Sequence, residues 1–180
     1  MTTPTRKDRT PPDQAAVRIF AANDRINQVL LEHIDPAAWR GKSPGNVRGI
    51  PAIFTHMHNV RTKWIRLTAP HLRGPAQLSR AQCTPLQVRA ALAESAARCE
   101  ETLAEALGDH PGRVESFLRD GWAPPWPVGP EMLCYMIAHE AHHRGQVCML
   151  AHQLGFPLPR EIMSGMWNWE RLWKGLGPKE

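Results

Sequence analysis

The stretch that decides the fold is residues 132–154, which read MLCYMIAHEAHHRGQVCMLAHQL. Apolar positions recur here every three or four residues, as they do along one face of an α-helix. The stripe contains Met132, Met136, His139, His143, Gln146, Leu150 and Leu154. We therefore predict a helix from about Gly129 to Leu154, ended by Gly155, with two histidines on the face that points into the protein.

These two histidines, His139 and His143, are four residues apart, so their imidazoles project from the same side of the helix, one turn apart. His56 belongs to the apolar stripe of an upstream helix, and His58, about 200° away around that helix, is expected to face solvent or the helix flank. Three imidazoles from two facing helices could hold one metal ion and leave a coordination position open, as in catalytic zinc sites. The alternative is a metal-free cluster of hydrogen-bonded polar rings.

Several polar residues near these histidines have two interpretations each. Glu140 either contacts a neighbouring helix or the rim of the site, or is a solvated carboxylate; it is also a weak candidate for a general base. Asp24 and Asn27 could hydrogen-bond the outer nitrogens of ligand imidazoles, although Asp24 could equally be an exposed charge. Arg61 and Arg144 could bind an anionic substrate group, but we favour pairing with a carboxylate such as Glu140.

Proline and glycine divide the rest of the chain into helical stretches. We predict helices at about 12–34, 49–69, 84–107 and, at the C-terminus, 164–175. No run of alternating β-branched residues favours a strand. Connections of about 10 to 20 residues between the long helices indicate an all-α four-helix bundle with a short extra C-terminal helix. Residues 1–12 are expected to form a flexible leader and residues 13–180 a single domain.

The tryptophans concentrate in two places. Trp122 and Trp126 precede the last long helix and could roof the histidine site, although a hydrophobic plug over one end of the bundle is the simpler interpretation. Trp169 and Trp173 share a helical face with Met166 near the C-terminus. This face fits a short helix packed on the bundle, whereas an exposed stripe would indicate a dimer contact.

The composition argues against several classes of protein. No apolar run approaches the roughly 20 residues that span a bilayer, and the N-terminus does not have the pattern of a secretory signal, so we expect a cytoplasmic protein. The net charge of +5 comes from scattered residues, which disfavours nucleic-acid binding. The four cysteines have no C-x-x-C spacing; we expect them to be reduced, with Cys99, Cys134 and Cys148 packed in helices.

Two motifs in the chain resemble those of DinB-like proteins, a damage-inducible superfamily of four-helix bundles. Residues 54–64, FTHMHNVRTKW, resemble the second-helix motif of that family. Residues 139–146, HEAHHRGQ, followed by QLGFP at 153–157, resemble its fourth-helix motif. The motifs occur in the family's order, and the resemblance covers most of the chain. It implies a divalent metal, often nickel or zinc, held by His56, His139 and His143.

The resemblance also implies a homodimer and, as in some relatives, thiol-dependent chemistry. Those relatives include transferases that use bacillithiol or mycothiol, and maleylpyruvate isomerase. We therefore expect a metal-dependent thiol S-transferase-type enzyme that acts on a low-molecular-weight thiol and a small electrophile. A metal-dependent hydrolase and a non-catalytic stress-response bundle are the alternatives, because family membership fixes a site better than a reaction.

Overall fold

The computed structural model describes residues 10–79, 83–108, 113–175 and 177. Seven helices occur in these ranges: α1 (Pro12–His33), α2 (Pro36–Arg40), α3 (Ile50–Thr68), α4 (Pro85–Leu107), α5 (Pro130–Gln153), α6 (Arg160–Gly165) and α7 (Trp169–Trp173). A 3-10 turn spans Pro70–Leu72, and two short strands, β1 (Ser116–Phe117) and β2 (Trp126–Pro127), pair antiparallel. The predicted all-α fold is confirmed.

The long helices begin where the sequence signals predict. Proline occupies the first turn of α1, α3, α4 and α5, where its missing N–H has no partner to lose and its fixed φ suits a helix. Thr84 and Gln87 form a capping box at the start of α4. Gly155 follows α5 with a φ of 87°, the left-handed conformation expected of a residue that ends a helix.

The four long helices enclose two apolar clusters that are separated by a polar layer. α1 and α3 each pack against both α4 and α5, so α4 and α5 lie diagonally opposite each other. One apolar cluster surrounds Phe54 and Leu150, and the other surrounds Phe20 and Met136. Between them, along every long helix, lie polar or charged side chains, which include the histidines. The bundle therefore positions the candidate site midway along its length.

Several details differ from the sequence predictions. The expected C-terminal helix at 164–175 is two short helices, α6 and α7, and α2 and the strand pair were not predicted. Cys134 is exposed rather than packed, although all four cysteines are free as expected. Of the predicted leader, residues 1–9 lie outside the described residues. Among the described helices, none combines the length and the apolar content needed to cross a lipid bilayer.

Candidate metal centre

Three histidines meet in the groove between α3 and α5. His56 comes from α3, and His139 and His143 come from α5; one nitrogen of each ring lies within 4.8 Å of the others. The ring centroids are 5.4 Å apart for His56 and His139, and 4.6 Å apart for His139 and His143. We call these three residues the histidine cluster. Among the His, Cys, Asp and Glu side chains in the described part of the chain, these three histidines form the group whose geometry could hold a metal ion.

The cluster lies at the edge of the buried face, not at its centre. His143 is buried, but His56 and His139 are only half-buried, and Gln146 of the predicted stripe is exposed. Arg61 on α3 and Glu140 on α5, by contrast, are fully buried. The histidines thus point less directly into the bundle than predicted. The reason is that α5 contacts both α1 and α3 and buries a wider face than the single predicted stripe. As a result, the cluster is accessible from the groove.

His139 lies in a partly buried environment that keeps its imidazole neutral. Its Nδ1 atom is buried and has no hydrogen-bond partner among the described residues, which is costly for a polar atom. Trp64 packs edge-on against the imidazole with a centroid distance of 5.3 Å. Burial, followed by the charge of His143, lowers the pKa of His139 to about 4. The ring is therefore neutral at neutral pH, as metal coordination requires.

His143 is oriented by an amide side chain on the next turn of α5. Its Nδ1 lies 2.7 Å from Oε1 of Gln146, and Nε2 of the same amide lies 3.1 Å from Nε2 of His142. An amide NH₂ donates and an amide oxygen accepts, so this arrangement puts the proton of neutral His143 on Nδ1. Nε2 of His143 is then the nitrogen available to a metal. Burial lowers the pKa of His143, and the charges of His142 and Arg48 lower it further.

A buried ion-pair network occupies the bundle centre beside the histidine cluster. Arg61 is fully buried; its Nε and Nη2 donate to the Glu140 carboxylate at 2.6 and 2.8 Å, and its Nη1 donates to Asp24 at 2.8 Å. Nη1 also donates to the carbonyl oxygen of Leu92 on α4. Burial alone would lower the pKa of Arg61, but the two carboxylates outweigh it and raise the pKa. This guanidinium links all four long helices.

Three further side chains complete the shell of Glu140. Asn23 and Asn27 on α1 donate to its Oε2 atom at 2.6 and 2.7 Å, and their own amide oxygens accept from Arg144 at 2.7 and 3.1 Å. Burial raises the pKa of Glu140, but Arg61 and then Arg144 outweigh it and lower the pKa. We call Asn23, Asp24, Asn27, Arg61, Glu140 and Arg144 the central network.

The central network settles the open interpretations of its members. The favoured pairing of Arg61 and Arg144 with Glu140 is confirmed, with Arg144 at the longer distance of 4.0 Å. Glu140 is not a solvated carboxylate, and its two oxygens are engaged by Arg61 and two asparagines, which disfavours a role as general base. Asp24 is not an exposed charge: it pairs with Arg61.

Other sequence expectations also need correction. His58 does not face solvent; it is buried, with Nδ1 3.2 Å from Ser95 Oγ and Nε2 2.9 Å from the carbonyl oxygen of Ala76, because the segment after α3 folds back over it. Trp126 packs against Tyr135, 5.4 Å away between ring centroids, as a plug would. Trp122 is 86% exposed, so its indole is not packed as a plug would be.

A cleft adjoins the histidine cluster on the side of Gln146. It lies between α5 and residues 46–48, has a volume of about 770 Å³ and is lined in part by Arg48, Ile53, His142, Gln146 and Met149. Arg48 lies in a connection with no helical periodicity, so no sequence pattern marks it as a site residue. Only its place in the fold, next to the start of α3, brings it near the cluster.

Comparison with known protein families identifies the chain. A sequence model described as the DinB family matches residues 1–170. The chain belongs to the DinB family. No match is found among curated proteins, and none among solved structures.

Membership of the DinB family and the histidine cluster are together compatible with a metal-binding protein. Three imidazoles suit zinc, nickel, copper or iron(II). The three rings fit such an ion because one nitrogen of each lies within 4.8 Å of the others, and a cation would satisfy these polar atoms together. As a DinB-family bundle, the chain thus combines a paired central network with a neighbouring imidazole cluster that can accept a ligand.

Proposed function

We propose that this DinB-family protein binds one divalent metal ion through His56, His139 and His143 and uses it in thiol S-transfer. The observation that carries the proposal is the meeting of three imidazole nitrogens within 4.8 Å, without a fourth protein ligand in that group among the described residues. Structural zinc sites have four protein ligands, whereas catalytic sites have three and an open position. Zinc and nickel are the ions we expect.

The neighbouring carboxylates support an open coordination position. Asp24 and Glu140 are the acidic residues of the buried layer, and both are paired with Arg61. Supplying either one as a fourth ligand would break one of the two buried ion pairs of Arg61, which costs several kcal/mol. The side chains of the central network therefore keep the carboxylates away from the metal site and hold α5 in a fixed register against α3.

The proposed reaction forms one carbon–sulfur bond. A divalent cation lowers the pKa of a coordinated thiol, which makes a thiolate available at neutral pH. The thiol proton goes to solvent, and a sulfur lone pair forms the bond to an electrophilic carbon. The leaving group departs with the electron pair of the broken bond, so no oxidant or reductant is needed. The half-buried His56 and His139 leave the site accessible to both small reactants.

The first experiment measures metal content. Protein purified without chelator or polyhistidine tag should contain about one divalent ion per chain, and the His139→Ala, His143→Ala double variant should lose it. His152→Ala is a matched control, because His152 is exposed on the same helix and lies outside the cluster. Absence of metal from the wild type after reconstitution with zinc and nickel would defeat the proposal.

The second experiment tests the reaction. Zinc- or nickel-loaded protein should accelerate the reaction of cysteine or N-acetylcysteine with monochlorobimane, in which the thiolate displaces chloride, measured by fluorescence, and the double variant should not. One metal ion per chain without any acceleration across such thiols and electrophiles would favour a non-catalytic metal-binding bundle. Acceleration that persists in the double variant would contradict the assigned site.

A further inference from the structure

We propose that the cleft beside Gln146 is a binding site for a small organic carboxylate, with Arg48 holding the carboxylate and Ile53, Met149 and Leu150 contacting its apolar body. This inference deepens the proposed function, because it names the chemical class of one substrate. The cleft volume of about 770 Å³ lies in the range of roughly 300–1,000 Å³ typical of small-molecule sites.

The charge distribution of the cleft favours an anion. Its lining residues include Arg48 and no Asp or Glu. None of the salt bridges formed by the described residues uses Arg48, although the other arginines near the cluster, Arg61 and Arg144, belong to the central network. A guanidinium without a carboxylate partner is the side chain best suited to recognise one in a ligand.

The remaining lining residues suit a short aliphatic or aromatic body. Val47 and Met149 are large hydrophobic side chains that are 64% and 59% exposed, and both line the cleft. Exposed apolar surface grouped beside an unpaired cation is typical of a ligand site. Gly145, also in the lining, has no atom beyond its chain neighbours and its own helix backbone within 4 Å of the position that a Cβ would occupy, so the floor of the cleft is open there.

The cleft is connected to the histidine cluster through Gln146. This residue lines the cleft, and its Oε1 lies 2.7 Å from Nδ1 of His143. A carboxylate bound at Arg48 would therefore place the rest of a small molecule near the imidazoles.

The carboxylate could belong to the thiol or to the electrophile, since both can be organic acids. The primary test uses hexanoate and the neutral hexanamide, titrated into chelator-treated, metal-free protein and followed by ¹H–¹⁵N NMR. We expect hexanoate to shift resonances of Val47, Arg48 and Gly145, to bind more tightly than hexanamide, and to bind about tenfold more weakly to Arg48→Gln. Arg98→Gln, which removes the same charge from α4 diagonally across the bundle, should bind like the wild type.

A second variant keeps Arg48 and fills the cleft. Gly145→Leu should also weaken hexanoate binding while it retains zinc in the elemental analysis. The proposal would be overturned if wild type and Arg48→Gln bound hexanoate with equal affinity. It would also be overturned if the wild type bound hexanoate and hexanamide with equal affinity. Binding that occurs only with zinc present and is insensitive to Arg48→Gln would also overturn it and would mean that the carboxylate binds the metal, so the proposed function would survive.

The source of the carboxylate is tested with zinc-loaded protein and N-acetylcysteine. If Arg48→Gln weakens binding of this thiol acid, the thiol carries the recognised carboxylate; if only hexanoate is weakened, the electrophile carries it. Both results support the cleft as a carboxylate site. Failure of zinc to bind would refute the proposed function. The hexanoate titration of metal-free protein would still determine whether the cleft binds a carboxylate.

Discussion

Two polar clusters lie side by side in the middle of this bundle, and they differ in how their polar atoms are satisfied. In the central network, Arg61 donates to two carboxylates and a carbonyl, and Glu140 accepts from Arg61 and two asparagines. In the histidine cluster, Nδ1 of His139 is buried without a hydrogen-bond partner among the described residues. A paired network holds a fold together, whereas three neighbouring imidazoles, one with an unpaired buried nitrogen, can gain a partner by binding an ion.

The largest effect should come from breaking the central network. Arg61→Met leaves the Glu140 and Asp24 carboxylates buried without their cation, so we expect the free energy of unfolding to fall by about 3–5 kcal/mol in urea titrations. Lys63→Met is the control, because the Lys63–Asp120 pair is partly exposed and should contribute about 0–1 kcal/mol.

Should Arg61→Met fail to fold, Glu140→Gln provides the same test with little change of shape. It removes one charge of the pair and should lower the free energy of unfolding by more than Lys63→Met does. Similar values for the buried and the exposed variants would contradict the structural role assigned to the central network.

The histidine cluster should respond to metal instead. At free zinc a hundredfold above its dissociation constant, we expect the wild type to gain about 2.7 kcal/mol in the free energy of unfolding, because zinc binds the folded state. His139→Ala should gain far less, and His152→Ala should gain as much as the wild type. Equal stabilisation of all three proteins would show that zinc binds elsewhere.

A smaller effect is expected from the residue that orients His143. Gln146→Leu removes the acceptor of the Nδ1 proton and should weaken zinc binding by about tenfold in competition with a fluorescent chelator. Gln153→Leu, an exposed position on the same helix, is the matched control. An unchanged zinc affinity in Gln146→Leu would mean that this hydrogen bond does not position the ligand.

A further effect is a pH dependence of the metal-free protein. Because the pKa of His139 is lowered to about 4 in the folded state from an ordinary value near 6.5, the unfolded state binds more protons between these pH values. Stability should therefore decline as the pH falls from 6.5 towards 4. Because carboxylates also titrate in this window, the wild type is compared with His139→Ala. The free energy of unfolding should change less steeply with pH in His139→Ala than in the wild type. Identical slopes would contradict the low pKa.

The sequence predicts the helices and the histidine set because both depend on local signals. Proline, a capping box and Gly155 mark the helix ends, and the spacing of His139 and His143 follows from 3.6 residues per turn. Periodicity placed His56 on the inward stripe of its helix, and the proximity of its ring to His139 and His143 agrees with that choice. The same reasoning was wrong for His58, which it placed towards solvent although this side chain is buried.

The remaining errors concern contacts between distant segments. Glu140 is buried because α5 packs against two neighbours, a property of the bundle that one helical stripe does not contain. His58 is buried because Ala76 and the residues around it fold over α3. Arg48 reaches the cleft from a connection without periodicity. Each depends on tertiary packing, which local patterns leave undetermined.

The most direct test of the central claim is X-ray absorption spectroscopy of the zinc-loaded protein with and without N-acetylcysteine. We predict a first shell of three imidazole nitrogens and one non-protein oxygen at about 2.0 Å, with a sulfur at about 2.3 Å replacing the oxygen when thiol is added. A fourth protein ligand that persists in the presence of thiol, or a shell with fewer than three imidazoles, would contradict an open site built from His56, His139 and His143.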